Sequence, residues 1–109
     1  YTYNYDTKMK LAGNTMFDDS EKIFNKEVSR DSTELAGSFL KYVPQMCKIK
    51  KNTHRTSNIR ILKNKIPSIL IETGYISNEK DKILLNSDIF RDKLSQSLVY
   101  SLDDYFMKE

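Results

Sequence analysis

A short apolar run, Ile66-Pro67-Ser68-Ile69-Leu70-Ile71, constrains the fold of this chain more than any other feature. The run is rich in isoleucine, and its proline stands near its start, where a missing backbone N–H costs least. It therefore predicts a buried strand of a sheet that is covered on both faces. A turn and two helical patterns follow it. This order is typical of α/β architecture, so we predict a partial open sheet flanked by helices and ending in an amphipathic C-terminal helix.

The length of 109 residues limits the chain to one domain with a small core. A folded chain of this size buries only about two-thirds of the surface that its unfolded form exposes. The sequence begins with Tyr1, and it shows neither a signal peptide nor an apolar run of membrane-spanning length. We therefore expect these residues to be a piece of a longer protein.

Two patterns organise the first third of the chain. Tyr1, Tyr3 and Tyr5 alternate with polar residues, which predicts a strand with one buried face over residues 1–10. Residues 18–27 have sparse apolar positions and are interpreted as a short helix or an irregular loop.

A helix is predicted to begin at Asp31, because Asp31 and Glu34 have the spacing of a capping box. Pro44 predicts that this helix ends near Tyr42, since proline lacks the N–H of a helix interior. The buried face is expected to comprise Leu35, Phe39, Tyr42, Val43 and Met46.

A polar, basic loop is predicted from Lys48 to Asn58, and it contains the single histidine, His54. Its basic cluster is typical of a solvated loop, although such a cluster can also attract an anionic polymer. The cluster consists of Lys48, Lys50, Lys51 and Arg55. No pattern of a nucleic-acid-binding module is present, so we predict no nucleic-acid partner. Cys47 is the single cysteine, cannot form an internal disulfide, and is interpreted as a core or half-buried residue.

Three elements are predicted around and after the apolar run. Ile59, Ile61 and Leu62 suggest a short strand before it. Ser77 or Asn78 can cap a helix over Glu79 to Leu85. Asp88 opens a final helix, whose apolar stripe is expected to pack on the sheet. The stripe comprises Phe90, Leu94, Leu98, Leu102, Tyr105 and Phe106.

Glu72 directly follows the predicted strand, at the end of a sheet where ligands bind in α/β folds. Burial at such a position raises the pKa of a carboxyl group toward the range in which it exchanges protons near neutral pH. A structural glutamate that accepts backbone hydrogen bonds from the following turn would explain the position equally well. From these residues alone, both interpretations remain open.

The residues from Pro67 to Asn78 follow the pattern P-x-h-L-h-E-x-G-[FY]-h-S-N, where h is apolar. This pattern closely resembles the signature near the end of the zinc-dependent N-acetylmuramoyl-L-alanine amidases (amidase type 3). Ile61-Leu62-Lys63 is similar to the family's V-L-R element, and the helix ending at Tyr105-Phe106 resembles its last helix. The resemblance covers residues 30–107 well and residues 1–29 only vaguely.

The resemblance implies that residues 1–109 are the C-terminal portion of a single amidase catalytic domain. The family holds one zinc with two histidines and a glutamate, and its S-x-H-x-N ligand motif is not present here. We therefore expect the zinc ligands upstream of these residues and assign none within them. His54 lies eighteen residues before Glu72 in a superficially similar setting. It is interpreted as an exposed loop residue, with a substrate contact and a metal ligand as alternatives.

The resemblance also implies a mechanism in which Glu72 is the general acid/base. Zinc would polarise the amide carbonyl and lower the pKa of the water bound to the metal. Glu72 would take that water's proton and protonate the leaving L-alanine nitrogen. Gly74 would allow a backbone bend, while Tyr75 and Ile76 would anchor the turn in the core. The implied partner is peptidoglycan, and the implied location is the cell envelope, periplasmic or extracellular. The alternative is a non-enzymatic peptidoglycan-binding or scaffold module that has lost the metal site, and any activator proteins are unknown from the sequence.

Overall fold

The computed structural model describes residues 1–3, 19–51 and 53–108, with the side chains of residues 19–24 outside the description. Its elements, in chain order, are strand β1 (Thr2–Tyr3), helix α1 (Asp19–Cys47), strand β2 (Thr56–Ser57), a 3₁₀ helix (Arg60–Leu62), helix α2 (Glu79–Leu85) and helix α3 (Asp88–Met107). The predicted mixture of strands and helices is confirmed, and the described part is mostly helical. Two compact units are formed, the first by Tyr1–Ala36 with His54–Leu70 and the second by Gly37–Thr53 with Ile71–Glu109.

The first unit contains a small parallel sheet in which Thr2 of β1 lies opposite Thr56 of β2. Thr2 and Tyr3 are both buried, so β1 is covered on both faces rather than on one. The core consists of Tyr3, Val28 and Leu62, with Tyr1 and Leu70 packed against it. The strand prediction is confirmed over these two residues, and its continuation toward Tyr5 lies outside the described residues.

The predicted buried strand Ile66-Pro67-Ser68-Ile69-Leu70-Ile71 does not form as such. Its backbone pairs at Leu70, whose N–H donates to the Tyr1 carbonyl at 2.9 Å and whose carbonyl accepts from the Tyr1 amino group at 2.7 Å. Ile66 and Ile71 are exposed. A run that is apolar on both faces becomes a buried strand only with neighbouring strands beside it and layers above and below. Tyr1 supplies one residue of such pairing.

A second strand prediction is wrong, because Arg60–Leu62 is a 3₁₀ helix. Hydrogen bonds from Leu62 N–H to the Ile59 carbonyl and from Lys63 N–H to the Arg60 carbonyl, each 3.1 Å long, close this turn. Leu62 is buried, whereas Ile61 is 77% exposed. The tight turn thus places one of the three apolar side chains in the core and leaves the others outside it.

The helix start predicted at Asp31 is also wrong, since α1 begins at Asp19 and passes through this position. Asp31 accepts hydrogen bonds from the adjacent Arg30 on the helix surface. Helix propagation adds one backbone bond per residue and needs no new nucleus. With Val28 already buried one turn earlier, the helix continues through a sequence that could also have capped it.

Pro44 does not end α1, which continues to Cys47. The end comes at Lys48, whose φ of 54° is left-handed, and Ile49 N–H donates to the Pro44 carbonyl at 3.1 Å. This bond is that of a Schellman motif, which satisfies carbonyls of the last turn. Burial of Val43 and Cys47 holds that turn in place despite the N–H that proline lacks. The predicted burial of Leu35, Phe39 and Val43 is confirmed.

In the second unit, the last turns of α1 contact α3 in antiparallel order. Ser38 lies against Asp104, and Cys47 lies against Ser97, with Sγ and Oγ 3.7 Å apart. The residues that α3 buries are Phe90, Ser97, Ser101 and Tyr105. Leu102 and Phe106 are exposed, and the side chains that contact α3 here come from α1, so the expected packing of the apolar stripe on a sheet is corrected.

Two small side chains explain this choice of face on α3. Ser97 and Ser101 are 0% exposed, and their hydroxyls donate to carbonyls of their own helix, Leu94 and Ser97, at 2.7 Å. Serine whose hydroxyl is satisfied within the helix can be buried at low cost and allows a close approach of two helices. Ser97 therefore lies against Cys47 of α1, although the leucines of α3 are more apolar.

No helix in the described part of the chain has the length and apolar character needed to cross a bilayer.

Candidate functional site

Glu72 lies in the second unit, within a segment without regular secondary structure that precedes α2. Its side chain is exposed, in contrast to the burial expected at the end of a covered strand. Glu72 Oε2 accepts a hydrogen bond from the Tyr75 hydroxyl at 3.2 Å. This contact ties the carboxylate to the first aromatic residue of the following turn.

The turn after Glu72 is built around Gly74 and Asp81. Gly74 has a φ of 157°, and a Cβ at this position would lie 3.3 Å from Asp81 Cβ. The Asp81 carboxylate accepts from Tyr75 N–H at 3.0 Å. The positive φ therefore favours glycine here, and the Asp81 side chain would have to shift to admit a Cβ. The predicted role of Gly74 in a backbone bend is supported by this geometry.

Asn78 is the N-cap of α2, and its side-chain oxygen accepts from Asp81 N–H at 3.0 Å. The Asn78 backbone N–H in turn donates to the Tyr75 carbonyl at 2.9 Å. Of the two predicted caps, Asn78 is the one used, and Ser77 is exposed. α3 is capped by Ser87, directly before the predicted first residue Asp88. The segment from Gly74 to Asp81 is thus closed by hydrogen bonds of its own.

The hydrogen bonds of this turn can be compared with those expected of a structural glutamate. A structural glutamate would accept backbone hydrogen bonds from the turn, but Asp81 accepts the bond from Tyr75 N–H. The hydrogen bond of Glu72 comes from a side chain, the Tyr75 hydroxyl. Its carboxylate is exposed to solvent.

The resemblance implied that Tyr75 and Ile76 anchor the turn in the core, but the structure shows that they do not. Tyr75 is 62% exposed and Ile76 is 75% exposed. The hydrogen bonds to Asp81 and Asn78 hold the turn, so burial of these two side chains is not needed for its shape. Together with Glu72 they form an exposed acidic, aromatic and apolar group on one short segment.

His54 lies in the first unit, half-buried beside β1, so its interpretation as an exposed residue is corrected. Its Nε2 is 2.8 Å from Thr2 Oγ1. Burial lowers the pKa of His54 below its ordinary value. The neutral imidazole is therefore favoured, and it hydrogen-bonds to a residue of the sheet.

Within the described ranges, the His, Cys, Asp and Glu side chains form no group of three or more that could hold a metal ion. A catalytic zinc needs three protein ligands in one place. The described residues of this chain therefore do not fit a zinc centre.

Two features of the site were missed by sequence reasoning, namely the Asp81 carboxylate that closes the turn and the Tyr75 hydroxyl that contacts Glu72. The signals for both were present. Asp81 stands three residues after the capping Asn78, and the motif position that accepts Phe or Tyr is occupied by Tyr. The hydroxyl is the one group by which these two residue types differ.

A sequence profile of the family described as N-acetylmuramoyl-L-alanine amidase matches residues 5–104. Among curated proteins, the chain is 30% identical to the N-acetylmuramoyl-L-alanine amidase AmiA of Salmonella typhimurium (strain LT2), over 71% of this chain and 27% of that protein. It is 25% identical to AmiA of Escherichia coli (strain K12), over 91% of this chain and 33% of that protein.

A third relative is the probable cell wall amidase LytH of Staphylococcus epidermidis, 38% identical over 48% of this chain and 18% of that protein. The matched residues thus span a third or less of the length of each of these three relatives. No solved structure matches the chain significantly.

Proposed function

Because the chain belongs to the N-acetylmuramoyl-L-alanine amidase family, we propose that its residues 1–109 are the C-terminal portion of one amidase catalytic domain. The proposed enzyme is a peptidoglycan hydrolase that cleaves the amide bond between N-acetylmuramic acid and L-alanine of the stem peptide. The family match over residues 5–104 supports the assignment of the domain. The short share of each relative that is matched supports the view that the domain extends beyond these residues.

Glu72 is the proposed catalytic residue, and the observation that carries this proposal is its position in the motif from Pro67 to Asn78. The carboxylate is exposed, and Asp81 rather than Glu72 closes the neighbouring turn. Glu72 would accept a proton from the water that attacks the amide carbonyl carbon. It would then return that proton to the L-alanine nitrogen as the C–N bond breaks. One carboxyl group suffices for both transfers, because it gains a proton in the first and loses it in the second.

Zinc is the cofactor that the family resemblance implies, and we place its ligands on a part of the protein that precedes these residues. The described residues offer no three-ligand group, so we expect the 109-residue chain alone to retain no zinc and to be inactive. Zinc content measured after dialysis against micromolar zinc checks this, with His54→Ala and Glu72→Ala alongside. If the wild-type chain retained stoichiometric zinc and either substitution removed it, the proposed placement of the ligands would be contradicted.

The proposed substrate places the protein in the cell envelope, in the periplasm or outside the cell. The relatives named as cell wall amidases support this location. Peptidoglycan is the proposed partner.

The proposed reaction is tested on purified peptidoglycan with the longer protein that contains this chain and its zinc ligands. We expect mass spectrometry to show free stem peptides that begin with L-alanine, together with glycan strands whose muramic acid has lost its peptide. Peptidoglycan that is bound but not cleaved would instead support the alternative, a non-enzymatic binding or scaffold module. Cleavage of a different bond would contradict both proposals.

A further inference from the structure

Asp81 closes the turn after Glu72, although its place in α2 is typical of a different task. It is the third residue of α2, and Asn78 is the N-cap of that helix. In a capping box, a carboxylate at the third position accepts a hydrogen bond from the N–H of the cap residue. Here the Asn78 N–H donates to the Tyr75 carbonyl at 2.9 Å, and the Asp81 carboxylate accepts from Tyr75 N–H at 3.0 Å. The Asp81 side chain thus holds the residue that lies three positions before the cap.

These bonds fix the backbone of Tyr75 at both its N–H and its carbonyl. Asp81 is held in turn, because its N–H donates to the Asn78 side chain at 3.0 Å. Asp81 is half-buried, whereas Tyr75 is 62% exposed. The position of the Tyr75 ring is therefore set by the backbone of the turn rather than by packing in a core.

The Tyr75 hydroxyl is the group that this turn presents to Glu72, and it donates to Glu72 Oε2 at 3.2 Å. An exposed glutamate side chain has large rotamer freedom, so a donor whose own position is fixed restricts where the carboxylate lies. A general acid/base must lie within hydrogen-bond reach of the proton that it transfers, and a small displacement lowers the rate. The hydrogen bonds of the turn therefore bear on the proposed chemistry of Glu72.

We infer that Asp81 is a positioning residue for Glu72 and that it acts through Tyr75. The Asp81 carboxylate fixes the backbone of Tyr75, and the Tyr75 hydroxyl then holds the Glu72 carboxylate in the orientation that proton transfer needs. Asp81 takes no part in the proton transfer itself. The inference rests on the proposed function, because it assigns Asp81 a role only through the proposed role of Glu72.

The alternative role for Asp81 is purely structural. A negative charge in the first turn of a helix is favourable, so Asp81 could stabilise α2 without any effect on Glu72. Loss of that charge would change the stability of the protein and leave the turnover of the folded protein unchanged. A role through Tyr75 depends instead on the hydrogen-bond acceptor and on the Tyr75 hydroxyl, and these can be removed one at a time.

The test measures kcat and KM of the longer protein on soluble muramoyl peptides. The variants are Asp81→Ala, Asp81→Asn, Tyr75→Phe and the double variant of Asp81→Ala with Tyr75→Phe. The control is Asp92→Ala, which removes an exposed aspartate of α3. Urea denaturation gives the folded fraction of each variant, so that turnover is expressed per folded molecule. Hydrogen exchange of the Tyr75 amide, followed by NMR in the same proteins, reports the contact with Asp81 without any cleavage.

We expect Asp81→Ala to lower kcat about two- to ten-fold, as Tyr75→Phe does, with KM within about two-fold of the wild type. The double variant is expected to match the single variants, because both substitutions disrupt the same contact with Glu72. Asp81→Asn is expected to retain most of the turnover, since its amide oxygen still accepts a hydrogen bond. The Tyr75 amide is expected to exchange about ten-fold or more faster in Asp81→Ala, and Asp92→Ala to remain near the wild type.

Three results would overturn the inference: wild-type kcat in Asp81→Ala, losses that multiply in the double variant, or equal losses in Asp81→Asn and Asp81→Ala. Unchanged exchange of the Tyr75 amide in Asp81→Ala would overturn it as well. An inactive wild type would instead contradict the amidase proposal itself. The two failures are therefore distinguishable, because an active wild type whose kcat does not depend on Asp81 removes only the positioning role.

Discussion

At the scale of single residues, the contact between Tyr75 and Glu72 is the most informative one in the candidate site. The Tyr75 hydroxyl donates to the carboxylate at 3.2 Å, and both side chains are exposed. A hydrogen bond contributes about 0.5–1.5 kcal/mol. Tyr75→Phe, which keeps the ring, is therefore expected to lower amidase turnover about two- to ten-fold in the longer protein.

The measurement for Tyr75→Phe is turnover on peptidoglycan, with Tyr100→Phe as a control. Tyr100 is an exposed tyrosine of α3, and its ring lies 6.5 Å from that of Tyr42. Unchanged turnover in Tyr75→Phe would show that the hydroxyl does not position Glu72. An equal loss in both variants would indicate a general effect on folding.

Gly74 gives a second prediction at this scale. Its φ of 157° lies in a region that glycine adopts readily, and an added Cβ would approach Asp81 Cβ to 3.3 Å. Gly74→Ala is expected to destabilise the chain by about 1–3 kcal/mol, measured by urea denaturation. Gly37→Ala is the matched control, because Gly37 is exposed within α1 and its added Cβ meets no atom within 4 Å.

Alanine at position 37 is expected to raise the free energy of unfolding by about 0.5–1 kcal/mol, because alanine favours the helix. Opposite signs for the two substitutions are the expected result. Stabilisation by both would contradict the conformation assigned to the turn after Glu72.

At the scale of elements, the contact between α1 and α3 includes one carboxylate of α3 that accepts hydrogen bonds from α1. Asp104 accepts hydrogen bonds from Ser38 at 2.8 Å and Tyr42 at 3.3 Å, and it forms an ion pair with Lys108 at 3.0 Å. The hydrogen bonds from Lys108 and then Ser38 lower the pKa of Asp104 below its ordinary value of 3.8. We therefore expect the pairing of these helices to depend on pH.

The sign of this coupling follows from the lowered pKa of Asp104. The folded state holds the charged form more strongly than the unfolded state does, so the contribution to stability is full above the ordinary value of 3.8 and is lost as pH falls through the folded pKa. Asp104→Asn is expected to flatten the dependence of unfolding free energy on pH below about pH 4. Urea denaturation from about pH 2 to pH 6 measures it, with exposed Asp103→Asn as the control. An unchanged slope in Asp104→Asn would contradict the role given to this carboxylate.

The elements also show which local signals the sequence could and could not provide. The helices after the motif were predictable, because the cap at Asn78 and the start at Asp88 depend on neighbouring residues. The limits of α1 were not, because Asp31 and Pro44 are signals that burial overrides. The end at Lys48 was not predictable either, because the left-handed residue that ends this helix is a lysine rather than the glycine that usually marks the position.

At the scale of the whole molecule, the α/β fold class was predictable, but the pairing of its strands was not. The run from Ile66 to Ile71 has the composition of a buried strand, yet its ends are exposed and it pairs at Leu70 with Tyr1. Strand pairing depends on segments distant in sequence, which composition does not specify. The proposed extension of the catalytic domain beyond these residues would supply such neighbours.

The candidate site shows the same division between local and distant information. Glu72, Gly74 and Asn78 followed from one continuous motif, and the structure gives the last two the backbone roles expected of them. The exposure of Tyr75 and Ile76 did not follow, because burial depends on what surrounds a side chain in space. The role of Glu72 stays a prediction that rests on the motif and on the free access to its carboxylate.

The central claim, that Glu72 is the general acid/base of a peptidoglycan amidase, is tested most directly by Glu72→Gln in the longer protein. The control is Glu79→Gln, an exposed glutamate at the first position of α2. Release of stem peptides from peptidoglycan is measured together with zinc content. We expect Glu72→Gln to lose about a hundred-fold or more in turnover while retaining zinc, and Glu79→Gln to remain near the wild type. Retention of most of the turnover by Glu72→Gln would contradict the claim.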